Sequence, residues 1–105
     1  MEAAELLAEM RECVSRGALT LSLHAVEKAE ERDISPHEIE EALLAEETEI
    51  IEDYPIDPRG PSCLILGRTA RGRALHVQVS HPPDVRVITA YEPDPERWID
   101  HRVRR

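Results

Sequence analysis

Residues 72–91 show two successive stretches of alternating side chains, and this pattern constrains the fold more than any other. The first stretch sets Leu75, Val77 and Val79 against His76, Gln78 and Ser80. The second sets Val85, Val87, Thr89 and Tyr91 against Arg86, Ile88 and Ala90. A Pro-Asp turn separates the two stretches. A two-residue period is typical of β-strands with unlike faces, so we predict an antiparallel hairpin at the centre of a sheet.

Two further strands are predicted before this hairpin, at residues 48–54 and 62–69, where β-forming residues are frequent. Several prolines separate them and cannot donate to a sheet ladder, so residues 55–61 are a predicted loop. Strands that are joined by short turns run antiparallel. The sequence therefore predicts a four-stranded antiparallel meander.

Three amphipathic helices are predicted before the strands, at residues 2–16, 23–32 and 36–47. Ser22 and Ser35 stand at N-cap positions, and the second is followed by the proline and glutamate of a capping box. Helices followed by a run of strands indicate an α+β fold with the helices packed on one face of the sheet.

The chain of 105 residues is long enough for one hydrophobic core, so a single domain is predicted. It comprises a helical layer at 1–47, a sheet with a closing turn at 48–98, and a frayed basic tail at 99–105. We expect Trp98 to fold back onto the core. The other face of the sheet is expected to be free, or partly covered by the tail.

The charge is unevenly distributed along the chain. Residues 1–58 carry 4 basic and 17 acidic side chains, and residues 59–105 carry 9 basic and 5 acidic, so balances of −13 and +4 sum to −9. A net acidic protein is repelled by nucleic acid at long range, although a local basic face can bind it or an acidic partner. The acidic N-terminus and the lack of a long apolar run predict a cytoplasmic protein with no membrane span.

Cysteine and histidine spacing does not favour a metal or a disulfide framework. Cys13 and Cys63 are far apart and form no CxxC motif, so two reduced, partly buried thiols are expected. The histidines form neither an HExxH motif nor a His-x-His pair, so no metal site and no cofactor are predicted.

Short motifs in a fixed order make the chain resemble the bacterial domain-of-unknown-function family 4258 over residues 20–98. The matching motif residues are Ser22, His24 and Ala25; Glu31, Arg32, Ile34 and Ser35; Leu75, His76 and Val77; and Ile88, Thr89, Tyr91 and Pro93. Lys28 stands where the family usually has arginine, which removes the planar fork that binds phosphate bidentately. The resemblance implies a distant relation to the RelE and ParE-like toxin fold. Many of those toxins are ribonucleases, whereas ParE-like proteins act on gyrase.

RNA cleavage without a metal needs a base, an acid and cations, and this chain offers candidates for each. The candidate catalytic residues are His24, His76, Lys28 and Tyr91. The candidate phosphate-binding or partner-binding residues are Arg32, Arg68 and Arg73. The hypothesis requires the two histidines and the cationic groups to converge in one cleft.

Each candidate also has a structural interpretation that the sequence leaves open. His24 can bond a strand carboxylate such as Asp53, and His76 can be a hydrogen-bonded residue inside the sheet. Lys28 and Arg32 can form salt bridges on a solvated helix face, and Tyr91 and Trp98 can be core residues. His37 and His81 are expected to be exposed and idle.

A second function remains open beside the nuclease. The acidic net charge and the low aromatic content of 3% both disfavour RNA binding. A non-catalytic module of the same fold would bind a partner protein, such as a cognate antitoxin or a second copy, through its basic sheet face or open sheet edge.

Overall fold

The computed structural model describes residues 2–105 and confirms an α+β fold with helices before strands. The helices are α1 (Ala3–Ser15), α2 (Leu23–Glu31) and α3 (Pro36–Leu44). The strands are β1 (Thr20–Leu21), β2 (Glu49–Tyr54), β3 (Ser62–Arg68), β4 (Ala74–Ser80), β5 (Arg86–Tyr91), β6 (Trp98–Ile99) and β7 (Val103–Arg104). In the described part of the chain, no helix has the length and apolar character that crossing a membrane requires.

Serine N-caps determine where α2 and α3 begin, as the sequence predicts. Ser22 Oγ accepts a hydrogen bond from the Ala25 N–H at 3.0 Å. Ser35 and Glu38 form the predicted capping box, in which each side chain accepts from the backbone N–H of the other. All three helices are slightly shorter than predicted. The largest difference is at α3, which ends because Ala45 adopts an extended conformation.

Within residues 2–105 the main sheet has five strands in the order β1-β5-β4-β3-β2. Strands β2 to β5 form the predicted antiparallel meander. The prediction of four antiparallel strands was wrong at one edge, where residues 20–21 pair parallel to β5 instead of forming a connector. Two residues are too few to show a period, and the partner of a parallel strand lies far away along the chain.

The two faces of the sheet carry different side chains. Leu75, Val77 and Val79 of β4 belong to one buried aliphatic cluster with helix residues such as Met10 and Ile39. We call this side the helix face. His76 lies between them along β4 and therefore points to the opposite side, which we call the outer face.

A β-bulge in β5 reverses the alternation that the sequence predicts. Val87 pairs with Val79 and Thr89 with Gln78, so Ile88 has no partner on β4. Strict alternation would leave Tyr91 on the same face as Val87. Because the extra residue shifts the pattern by one, Val87 joins the core and Tyr91 lies opposite His76 on the outer face.

Residues 98–105 are ordered, so the prediction of a frayed tail was wrong. Strands β6 and β7 pair antiparallel, with Trp98 opposite Arg104 and Ile99 opposite Val103. Asp100 and His101 connect them with positive φ values of 51° and 64°, the geometry of a tight hairpin turn. We call residues 98–105 the C-terminal ribbon.

The C-terminal ribbon is attached to the outer face of the sheet. Trp98 is 4% exposed, which confirms that it folds back onto the body of the protein. Arg102 and Arg104 form ion pairs with Glu49 and Glu52 of β2. The basic residues that suggested a solvated tail are therefore the groups that bind it to β2.

Both cysteines are buried and unpaired, in agreement with the predicted reduced thiols. Burial raises the pKa of Cys63 to about 12. The Cys63 thiol is therefore protonated, and unreactive, at neutral pH.

Candidate functional site

A cleft of about 390 Å³ opens where the end of β5, the C-terminal ribbon and the end of α2 meet. It is lined by Arg32, Tyr91, Glu92, Asp94, Arg97, Trp98 and Arg104. We call it the arginine cleft. Two of its residues are aromatic, although the whole chain has only one tryptophan, two tyrosines and no phenylalanine. Aromatic rings beside guanidinium groups suit an anionic ligand that also has a planar part.

Tyr91 contacts a buried histidine behind the cleft. Its hydroxyl lies 3.3 Å from Nδ1 of His76, whose side chain is fully buried. The other ring nitrogen, Nε2, lies 2.5 Å from the backbone carbonyl oxygen of His101. A carbonyl oxygen only accepts hydrogen bonds, so Nε2 carries the ring proton and donates a hydrogen bond to the His101 carbonyl.

Burial sets the protonation states of both side chains. It lowers the pKa of His76 below the ordinary value, so the imidazole is neutral at pH 7. It also raises the pKa of Tyr91, so the phenol keeps its proton. The Tyr91 hydroxyl therefore donates to the free lone pair on Nδ1 of His76, and its own oxygen remains available to accept a proton from a ligand.

The C-terminal ribbon holds this pair from one side. The Trp98 ring packs edge-on against His76, with ring centroids 4.5 Å apart. The Arg104 guanidinium lies 4.6 Å from the centroid of the Trp98 ring and donates to Glu52 through Nε at 2.8 Å. Hydrogen bonding from Arg104 lowers the pKa of the Glu52 carboxyl, which therefore stays charged.

The other two arginines of the cleft differ in how firmly the protein holds them. Arg32, the C-cap residue of α2, donates to the Ala90 carbonyl at 2.9 Å and to Thr89 Oγ1 at 3.2 Å. Arg97 is exposed, and its guanidinium makes no hydrogen bond with any residue that the structure describes. A guanidinium has five N–H donors, so both residues keep donors for a ligand.

Two of the predicted catalytic residues lie outside the arginine cleft. His24 and Lys28 are exposed on α2, where Lys28 forms an ion pair with Glu31 at 3.5 Å. The expected convergence of the two histidines was wrong, because His76 is sealed under Trp98 whereas His24 lies on the solvent side of its helix.

Asp53 also has a different partner from the one that the sequence suggested. Nε2 of His81 lies 2.7 Å from Oδ1 of Asp53, so the expectation that His24 binds this carboxylate was wrong. His81 is likewise not the idle surface residue that was expected. Among residues 2–105, no three His, Cys, Asp or Glu side chains lie close enough together to hold a metal ion.

The structure gives Arg73 and Arg68 structural contacts. The Arg73 guanidinium donates five hydrogen bonds, to the carboxylates of Glu38 and Glu92 and to two backbone carbonyls. These contacts, with Glu92 the strongest, raise the pKa of Arg73 and occupy all its donors. Arg68 donates to the Gly72 carbonyl at 3.2 Å, outside the arginine cleft.

Sequence analysis missed Arg97 and Arg104 as members of the cleft. One pattern could have identified Arg104: residues 102–104 alternate charged, apolar and charged, which is a strand pattern. Arg97 has no comparable pattern, because its position depends on how the connection after β5 folds.

Comparison with known proteins assigns most of the chain to one family. The model of the family described as domain of unknown function (DUF4258) matches residues 21–92, which include α2, α3 and β2 to β5. Helix α1 and the C-terminal ribbon lie outside the matched residues. No curated protein and no solved structure matches the chain significantly. Because the match covers more than half of its residues, the chain belongs to the DUF4258 family.

Proposed function

We propose that the chain is a RelE/ParE-like, toxin-related protein that cleaves single-stranded RNA at the arginine cleft without a metal ion. One observation carries the proposal. The Tyr91 hydroxyl is hydrogen-bonded to the buried, neutral His76, and Tyr91 lines a cleft that contains three arginines. Attack by a ribose 2′-hydroxyl on phosphorus needs a proton acceptor beside cationic groups.

Proton transfer passes through Tyr91 in this mechanism. Tyr91 accepts the proton of the 2′-hydroxyl and passes its own phenolic proton to Nδ1 of His76. The 2′-oxygen forms a bond to phosphorus, the bond from phosphorus to the 5′-oxygen breaks, and a 2′,3′-cyclic phosphate results. Water in the open cleft protonates the leaving 5′-oxygen, and the hydroxide that remains takes the extra proton back from His76 through Tyr91. The Glu52 carboxylate favours the positive charge that His76 carries until then.

The arginines stabilise the charge that develops on phosphorus. Arg32, Arg97 and Arg104 line the cleft together with Glu92 and Asp94, but Arg104 is paired with Glu52 and Glu92 is paired with Arg73. Arg32 and Arg97 are therefore the two guanidinium groups of the cleft that have no carboxylate partner among the described residues, in a protein with a net charge of −9. Local neutralisation of phosphate supplies the sequence-independent part of RNA affinity.

The first prediction is the effect of Tyr91→Phe, which removes one hydroxyl and keeps the ring. We expect purified protein in EDTA to cut single-stranded RNA to 2′,3′-cyclic phosphate products, and the variant to lose about 100-fold or more in rate. His24→Gln is the control, because it changes an exposed histidine that the sequence also offered as catalytic but that lies outside the cleft. No cleavage by the wild type, or equal cleavage by Tyr91→Phe, would overturn the proposal.

A second candidate function is a non-catalytic module of the same fold, and the net charge of −9 favours it. Such a module would bind an acidic segment of a partner protein, for example an antitoxin, in the arginine cleft. Addition of a partner strand at β2 is disfavoured, because this edge carries a β-bulge and several carboxylates. Stable capture of an acidic partner by Tyr91→Phe, with no RNA cleavage by the wild type, is the outcome expected for this function.

A further inference from the structure

A second, smaller groove of about 210 Å³ lies on the outer face near the start of β5. We call it the distal groove. It lies between the loop at residues 55–61 and the residues Ser62, Gln78, Arg86 and Ile88. None of the contacts described for the arginine cleft involves these side chains.

Arg86 brings an unpaired positive charge to the distal groove. Its backbone N–H donates to Ser80 Oγ at 2.8 Å. Its guanidinium is exposed and makes no hydrogen bond or ion pair with any residue in the described part of the chain. The neighbouring Arg59 is already paired with Asp57 at 3.4 Å. One free guanidinium at the groove is suited to one phosphate group.

Ile88 and Gln78 give the distal groove an apolar side chain and an amide group, which a site for phosphate alone would not require. Ile88 is the unpaired residue of the β-bulge, and 45% of its surface is exposed, so it offers a flat apolar contact. Gln78 donates to Ser62 Oγ at 3.1 Å through Nε2, which leaves its carbonyl oxygen and its second N–H free. An amide edge beside an apolar surface suits a nucleobase, which has a flat ring and polar edges.

The two sites are connected by a single strand. Ile88 precedes Tyr91 by three residues of β5, which corresponds to about 10 Å along a strand. We propose that the distal groove is a second nucleotide subsite, so that the substrate is a single-stranded RNA that spans both sites. This inference rests on the proposed function of the arginine cleft, and it adds a second binding site for the same substrate.

The second prediction concerns Arg86→Ala and uses RNA that cannot be cut. Fluorescence anisotropy would measure binding of 2′-O-methyl RNA of about eight nucleotides, and of a dinucleotide too short to span both sites. We expect the variant to bind the longer RNA about tenfold more weakly, with a salt dependence reduced by about one charge. Binding of the dinucleotide is expected to remain unchanged.

Arg71→Ala is the matched control, because it removes one exposed arginine that borders neither groove. Equal weakening by Arg71→Ala and Arg86→Ala would show a general charge effect and overturn the subsite. RNA binding that is weakened by Arg97→Ala but not by Arg86→Ala would overturn the subsite and leave the arginine cleft intact.

Three further outcomes bear on this inference and on the proposed function. RNA binding that depends on Arg86, in a protein that cuts no RNA, would support the subsite and overturn the catalytic proposal. Lack of binding to any of these RNAs would overturn both. Equally tight binding of a poly-glutamate peptide, again dependent on Arg86, would overturn the assignment of RNA as the ligand class.

Discussion

A buried histidine can act on a substrate only through a neighbour, and in the proposed mechanism that neighbour is Tyr91. His76 has no exposed surface, and its Nε2 proton is committed to the His101 carbonyl. Its remaining lone pair faces the Tyr91 hydroxyl. The sequence identified both residues as candidates, but their direct contact depends on the β-bulge that turns Tyr91 to the outer face.

The third prediction follows from the lowered pKa of His76. The unfolded chain binds a proton at this residue near pH 6.5, whereas the folded protein binds it only at lower pH. The contribution of the neutral histidine to the free energy of unfolding therefore has its full value above pH 6.5. It decreases as the pH falls below 6.5, by at most about 1.4 kcal/mol per pH unit. We expect the free energy of unfolding of His76→Gln to lack this part of the pH dependence.

Chemical denaturation between pH 5 and pH 7.5 would measure the difference, with His24→Gln as the control at an exposed histidine. Each variant shares with the wild type the pH dependence of unfolding that comes from the carboxylates, so this part cancels in the comparison. An identical pH dependence in His76→Gln and the wild type would contradict the neutral, buried state of His76.

At the scale of elements, the C-terminal ribbon determines whether the arginine cleft exists. It supplies Trp98 and Arg104 to the cleft, and the His101 carbonyl that orients His76. Trp98 on its inner side is buried against the sheet, whereas Ile99 and Val103 on the other side remain exposed. The packing of Trp98 on one side, together with the ion pairs that Arg102 and Arg104 form with β2, keeps this short hairpin in place.

The fourth prediction compares the two sides of the ribbon. We expect Trp98→Ala to lower the free energy of unfolding by about 3–5 kcal/mol, because it removes a fully packed aromatic side chain. Val103→Ala, at a side chain that is 59% exposed, should change it by less than about 0.5 kcal/mol. Denaturant titration measures both values, and similar small losses in the two variants would show that the ribbon does not pack on the sheet.

The sequence predicts those elements whose cause is local. Ser22 and Ser35 mark the starts of helices through their own hydrogen bonds, and the alternation in β4 appears directly in the structure. The parallel strand β1, the β-bulge at Ile88 and the C-terminal ribbon depend instead on partners far along the chain. The bulge and the ribbon each determine part of the arginine cleft or the distal groove, so the sites could not be assembled from local patterns.

For the whole molecule, the contrast between net and local charge decides how a polyanion would bind. A protein of charge −9 repels RNA at a distance, so association is expected to be slower than for a basic nuclease. The arginines of the two grooves act only at short range, within about 8–10 Å at physiological salt. RNA that binds this protein should therefore bind at these grooves and not across the acidic helices.

The most direct test of this account is the fluorescence of Trp98, because the chain has one tryptophan and it lines the arginine cleft. Titration with the uncleavable RNA is the fifth prediction. We expect a saturable change in Trp98 emission whose midpoint agrees with anisotropy and moves to higher RNA concentration in Arg97→Ala. RNA binding that is detected by anisotropy but leaves Trp98 emission unchanged would contradict the arginine cleft as the functional site.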